Sequence, residues 1–295
     1  QILYSRHGHL KFVPASNMKV LPTATALSLL GPEWRYETDL LAVGSSSEDG
    51  SVFRGDVVLG GRGDPTLSDR FYPSAEAPLD SLAASLRASG VRTVSGSLVV
   101  DVSSWDSTSI PGTWEIDDLP AAYAATGGAF SIAEGALTIE VRGGSEPGAP
   151  AQARWWPHLD EEFISVTYLT VHPDSSTRGR EVSYLPESRR LTVSGRIRVG
   201  QVDTISISQR DPVRLASAAL LRAFQQAGIE FRGGLRIAWE AGEPVGGAGC
   251  VTGVRTSPEE ESPGISSERE NRLERHLRGA GVAECPDAIL VHRLV

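Results

Sequence analysis

Lysine is almost missing from this chain. Of its 28 basic residues only Lys11 and Lys19 carry a primary amine, and all the others are arginine. Chemistry that needs a lysine side chain must therefore use one of those two. Cysteine is as sparse. Cys250 and Cys285 are the only two, and they lack the paired spacing of a zinc site, so they read as free or incidentally bridged thiols. No apolar run approaches the roughly 18 residues that a membrane span requires. A basic excess is also lacking. The net charge is −9 and the pI about 5.2, which leaves no face for nucleic-acid phosphates and disfavours anionic membrane surfaces. There is no initiating Met and no visible signal peptide, so the chain reads as a processed form or a fragment. No G-x-S-x-G elbow is present, which argues against an α/β-hydrolase, and no glycine turn runs into Gly-Lys-Ser/Thr as a phosphate loop would.

What is present is the composition of a folded protein. Hydrophobic residues make up 40% and charged residues 22%, over a length that suits two or three domains. Residues 14–30, PASNMKVLPTATALSLL, carry apolar residues at helical spacing and stop at Gly31-Pro32. Pro22 removes a backbone donor inside this helix, so a kink or a first turn that stands apart is expected. Strands are predicted over 37–43 and 52–59, then a glycine-rich turn over 60–65 and a helix over 79–88. The run 94–102 alternates poorly, which suits a strand buried on both faces. A strand is predicted over 136–141 and a turn or linker over 143–150, and the short β-like runs that follow, over 163–171, 181–185, 190–199 and 202–208, suggest a small all-β module. Asp211-Pro212 is a strong helix start and Gly228 a strong stop, and a strand is predicted over 229–239. After about residue 256 the chain becomes rich in charge and poor in core residues.

The sharpest chemical signal is Ser16-Asn17-Met18-Lys19, an S-x-x-K at a helix start. Residues three apart share one helix face, so the Lys19 amine can reach the Ser16 hydroxyl. A serine hydroxyl is a weak nucleophile until a base takes its proton. A lysine serves once desolvation or a neighbouring cation makes its neutral form accessible. The helix start adds donors near a reacting carbonyl. Taken alone the tetrapeptide is unspecific: Ser16 would be a helix cap and Lys19 a solvated side chain. His7 and His9 read as surface residues, because no further ligand lies near them. Arg62-Gly63-Asp64 sits inside a glycine-rich turn and reads as structural. Asp117 and Asp118 read as solvated loop acids.

The surroundings give the tetrapeptide its weight. FVPASNMKVLPTATALSLLGPEWRYETDL resembles the catalytic-serine helix of the class C, low-molecular-mass penicillin-binding proteins, which are serine D-Ala-D-Ala carboxypeptidases and endopeptidases. GDVVLGGRGDPTL (55–67), VSGSLVVD (94–101), PGTWEIDDLPAAYAA (111–125) and the helix 212–227 with QAGIEFRG resemble further segments of that family, in family order, so that the resemblance covers residues 2–257. It implies an α/β (α+β) fold: a partial β-lactamase/transpeptidase-like domain from 1–38 and 245–295, an inserted α/β domain from 39–140 and 208–244, and a nested, mostly β domain from 141–207. It further implies Ser16 as the acylated nucleophile and Lys19 as its general base, with no metal or cofactor. The implied partners are peptidoglycan stem peptides and β-lactams, on the periplasmic or extracellular side of the bacterial membrane.

Two of the family's three motifs depart from pattern. S-x-x-K should be accompanied by S-D-N and K-T-G. Asn271, in Arg269-Glu270-Asn271, is the nearest match to the second and would assist catalysis, but it lacks the serine. Ser131-Ile132-Ala133 lacks the asparagine and lies too early. Val251-Thr252-Gly253 has the wrong first residue for the third motif, and no lysine follows Lys19. Two readings follow. In one the tail from about 258 is foreign to the fold of a serine D-Ala-D-Ala carboxypeptidase. In the other the chain is a catalytically impaired relative that acts as a cell-wall peptide-binding module.

Overall fold

A computed structural model describes residues 3–295 apart from 108–109, 111, 162, 178, 186–189, 247–249, 251 and 253–287. Strands β1 (Thr38–Ser46) and β2 (Val52–Gly60) form an antiparallel hairpin. Its turn is closed by Asp49, whose carboxylate accepts from the Ser47 hydroxyl (2.7 Å), the Ser51 hydroxyl (2.8 Å) and the Ser51 backbone N–H (3.1 Å). Gly44 and Gly55 face each other across the hairpin with φ near 143° and 145°. A Cβ on Gly44 would lie 2.1 Å from the Arg54 carbonyl oxygen, so only glycine permits this approach.

Helix α2 (Ala77–Ala88) crosses from β2 to the parallel strand pair β3 (Thr93–Val94) and β4 (Leu98–Asp101). These are two halves of one lane, broken where the Gly96 N–H donates to Gly55 O (3.0 Å) and the Ser97 N–H to Asp56 Oδ1 (2.6 Å). β4 is buried throughout, as the poor alternation of 94–102 implied. Helix α3 (Pro212–Gln226) leads in the same way to β11 (Glu230–Phe231) and β12 (Leu235–Ala238), parallel to β3 and β4. The Asp211 carboxylate accepts from the Arg214 N–H at the start of α3, and Gly228 takes φ 76° just past its end. Leu79, Leu82 and Leu86 of α2 pack with Ala216, Leu220 and Phe224 of α3 over one sheet face. Val245 and Cys250 cover Val43, Val58, Val99 and Ala238 on the other. Cys250 is disulfide-bonded, the bridged one of the two alternatives the sequence left open, while Cys285 lies outside the described residues.

The sheet is completed by β13 (Ala288–Leu294), antiparallel to β1. The sequence reading placed 245–295 with the transpeptidase-like part. β13 instead belongs to the α/β sheet, because Arg293 reaches the buried Asp39 of β1 (Nε to Oδ1 2.6 Å) and Leu294 enters the same core.

Between β4 and α3 the chain makes a second unit with its own core. β5 (Ala136–Arg142) is flanked by β6 (Gln152–Trp156) and β10 (Val202–Ser208), and β9 (Arg190–Arg198) by β7 (Ile164–Val171) and β8 (Glu181–Leu185). Leu137, Ile139, Val193, Ile197 and Ile207 meet between the two three-stranded sheets. By pairing and core the β unit runs from 136 to 208, slightly wider than the predicted 141–207. No helix among the described residues is long and apolar enough to cross a membrane.

Candidate active site

Residues Ala15–Lys19 form a 3₁₀ turn that runs into helix α1 (Val20–Leu30). The first turn stands apart because Pro22 has no N–H to continue the helical ladder backwards. The Thr23 hydroxyl donates to the Lys19 carbonyl (2.7 Å). Ala15 enters the turn at φ 46°, a left-handed conformation that an alanine rarely adopts, next to the serine. This geometry brings the two predicted groups together: Lys19 Nζ donates to Ser16 Oγ at 3.2 Å. A base within hydrogen-bond reach of a hydroxyl is the minimal arrangement for a serine nucleophile.

The pair stands in the open. No residue of the 3₁₀ turn or of α1 is buried. Leu21 is 62% exposed and Leu27 60%. A helix that is apolar on all sides is built to be surrounded. Two cavities are formed elsewhere, around Gln209–Arg214, and neither is lined by Ser16 or Lys19.

The other sequence candidates fall as follows. Asn271 lies outside the described residues. Ser131 and Ile132 are buried within the α/β unit, where the Ala133 N–H donates to Leu67 O (2.9 Å). The Thr252 hydroxyl donates to Glu240 O (2.9 Å) and accepts from the Glu243 N–H (3.1 Å), a structural use of what resembled a third motif. Arg62 and Asp64 are structural too: Arg62 pairs with Asp39 (3.1 Å), and Asp64 accepts from the Thr66 hydroxyl (2.7 Å). His7 and His9 are exposed, and no group of three metal-ligating side chains exists among the described residues. Asp118 accepts from the Tyr123 hydroxyl (2.5 Å), and that bond holds the phenol above its usual range. Sequence reasoning missed the residues around the two cavities, because they come from segments far apart in the chain.

Comparison with known proteins agrees with the family resemblance. The family model described as D-Ala-D-Ala carboxypeptidase 3 (S13) matches residues 1–246. A D-alanyl-D-alanine carboxypeptidase of Actinomadura sp. (strain R39) is 43% identical over 133 residues, which is 45% of this chain and 23% of that protein. The D-alanyl-D-alanine carboxypeptidase DacB of Haemophilus influenzae is 24% identical over 234 residues, 79% of this chain and 47% of its own length. The crystal structure of penicillin-binding protein 4 (dacB) from H. influenzae superposes with a TM-score of 0.63 at 22% identity, over 78% of this chain and 49% of that one. A second crystal structure of that protein, in complex with a β-lactam, superposes with a TM-score of 0.56 at 21% identity, over 78% of this chain and 46% of that one. The chain thus spans less than half the length of these relatives.

Proposed function

The chain belongs to the D-Ala-D-Ala carboxypeptidase 3 (S13) family, and on that premise we propose that it carries the acylation centre of a serine-type D-Ala-D-Ala carboxypeptidase or endopeptidase acting on peptidoglycan stem peptides. The observation that carries the proposal is the 3.2 Å contact between Lys19 Nζ and Ser16 Oγ. In the reaction, Ser16 Oγ attacks the carbonyl carbon of the penultimate D-Ala as Lys19 accepts its proton. The proton then passes to the departing amine, the C–N bond breaks, and an acyl-serine is left for water to hydrolyse. A penicillin opens its lactam amide onto the same oxygen. Such chemistry belongs on the cell-wall side of the membrane, periplasmic or extracellular.

A second reading rests on the same helix. Lysine works as a base when it is desolvated or lies beside another cation, and Ser16 and Lys19 are both exposed. The chain would then be a catalytically impaired relative that binds cell-wall peptides.

A fluorescent penicillin separates the two. Labelling of the folded chain is expected to be weak or absent, and whatever there is should vanish in Ser16→Ala and fall by roughly 10²–10⁴-fold in Lys19→Met. Label that survives Ser16→Ala would remove Ser16 from the reaction. A folded chain with no label at all favours the binding reading.

A further inference from the structure

Between the β unit and the α/β unit lies a cavity of about 220 Å³. The β unit lends it Leu159, Phe163 and Leu191, while α3 and β12 lend Leu215, Leu235 and Ile237. The boundary between two folded units is a common place for ligands, and an apolar cavity with a few polar groups is their usual form. Its polar lining comes from Tyr184 of β8, Arg214 of α3 and the link between β10 and α3. Gln209, Arg210 and Asp211 line the cavity, and Arg210 and Asp211 also line a neighbouring cavity of about 430 Å³ that contains Trp105 and Trp239.

The hydrogen bonds and charges of this link are unevenly satisfied. The Asp211 carboxylate is taken up by Arg214, through the N–H (3.3 Å) and the guanidinium (2.9 Å). The Ser208 hydroxyl donates to Leu119 O. Arg210, by contrast, has no carboxylate within ion-pair distance among the described residues, and burial holds its guanidinium below the usual arginine range. Gln209 is only 8% exposed, and its Nε2 has no hydrogen-bond partner among the described residues. A buried donor without an acceptor is destabilising, and a half-buried cation without a counter-charge is also unfavourable. Both are absent from most protein interiors unless something else supplies the partner.

We propose that this cavity binds a small amphipathic carboxylate, with its apolar body among Leu159, Phe163, Leu215 and Ile237 and its carboxylate at Arg210. The assignment does not depend on acylation at Ser16. Two sources share this chemistry: a fatty acid and the C-terminus of a peptide that ends in an apolar residue.

Calorimetric titration of the full chain with octanoate, octan-1-ol, octylamine and N-acetyl-leucine tests the proposal. Octanoate is expected to bind at least roughly tenfold more tightly than octan-1-ol, the margin of one charge-assisted hydrogen bond, and octylamine not to bind. Arg210→Gln should bring octanoate to the octan-1-ol level and leave octan-1-ol unchanged. Ala218 lines the cavity yet is exposed. A bulky side chain there disturbs no core, so Ala218→Trp should abolish all binding while the circular dichroism stays the same. Ser16→Ala should bind octanoate as the parent does. N-acetyl-leucine binding more tightly than octanoate supports a peptide C-terminus as the source, and the reverse supports a fatty acid. The proposal is overturned by equal affinity for the three eight-carbon probes, or by no binding at millimolar octanoate. It is also overturned by octanoate that keeps its margin over octan-1-ol in Arg210→Gln, still binds in Ala218→Trp, or changes its affinity in Ser16→Ala.

Discussion

Asp39 is 4% exposed and accepts from two arginines, Arg62 at 3.1 Å and Arg293 at 2.6 and 2.9 Å. The contact with Asp39 raises Arg293 above its usual range. The two pairs differ in environment. Arg62 is buried like Asp39, whereas the Arg293 side chain is 40% exposed and also reaches Glu37 (3.0 Å). Asp39→Ala breaks a buried ion pair by removing its carboxylate and is expected to cost about 3–5 kcal/mol in urea unfolding. Arg293→Ala leaves the Asp39–Arg62 pair intact, and its exposed contact is worth no more than about 1 kcal/mol. Asp49 illustrates a charge held in the opposite setting, at the surface. Hydrogen bonds from Ser47 and then Ser51 lower its pKa from 3.8 to about 2. A carboxylate with a lowered pKa stabilises the fold above its unfolded value, and that stabilisation fades as pH falls from about 3.8 towards 2. An NMR titration of the Asp49 carboxyl carbon should therefore show a midpoint near 2 in the parent and a higher one in Ser47→Ala.

Among the elements, α1 is the exception. α2 and α3 each bury a stripe, while α1 buries nothing. Replacements on α1 should therefore leave this chain's stability within about 0.5 kcal/mol. Leu27→Glu is expected to unfold at the same urea concentration as the parent and to bind less of a hydrophobic dye, and a clear loss of stability would show that the helix has packing partners. The helices were legible in the sequence because their signals are local: a 3.6-residue period, Asp211-Pro212 at one end and glycine at the other. The Ser16–Lys19 pair was legible for the same reason, since a spacing of three fixes the contact. Two strands were missed. β6 has only five residues, QARWW, between turn-rich segments. β13 hides in a charged tail, and its half-exposed AILVHRL acquires meaning only from pairing with β1 at the other end of the chain. The run 94–102 reads as one strand in sequence, but contacts with Gly55 and Asp56 across the sheet break it in two. The cavity was illegible because the β unit, α3 and β12 build it jointly.

At the scale of the molecule, two cores are joined by a link on each side of the β unit. The first and last strands of that unit are neighbours: β5 and β10 pair antiparallel along their full length, with Ala136 opposite Ser208. The Gln209 N–H donates to Gly135 O (2.8 Å), so the incoming and outgoing chains are fastened together where they meet the α/β unit. Closing so short a gap costs little loop entropy. A chain in which a short Gly-Ser loop replaces 136–208 is expected to retain the α/β sheet, measured as amide protection of β2 and β4, and to lose octanoate binding with Leu159, Phe163 and Leu191. Collapse of that protection would show the two cores to be one cooperative unit. Adjacent ends of this kind turn the β unit into a detachable cassette, one that can be exchanged, enlarged or removed while the sheet beneath it keeps its register.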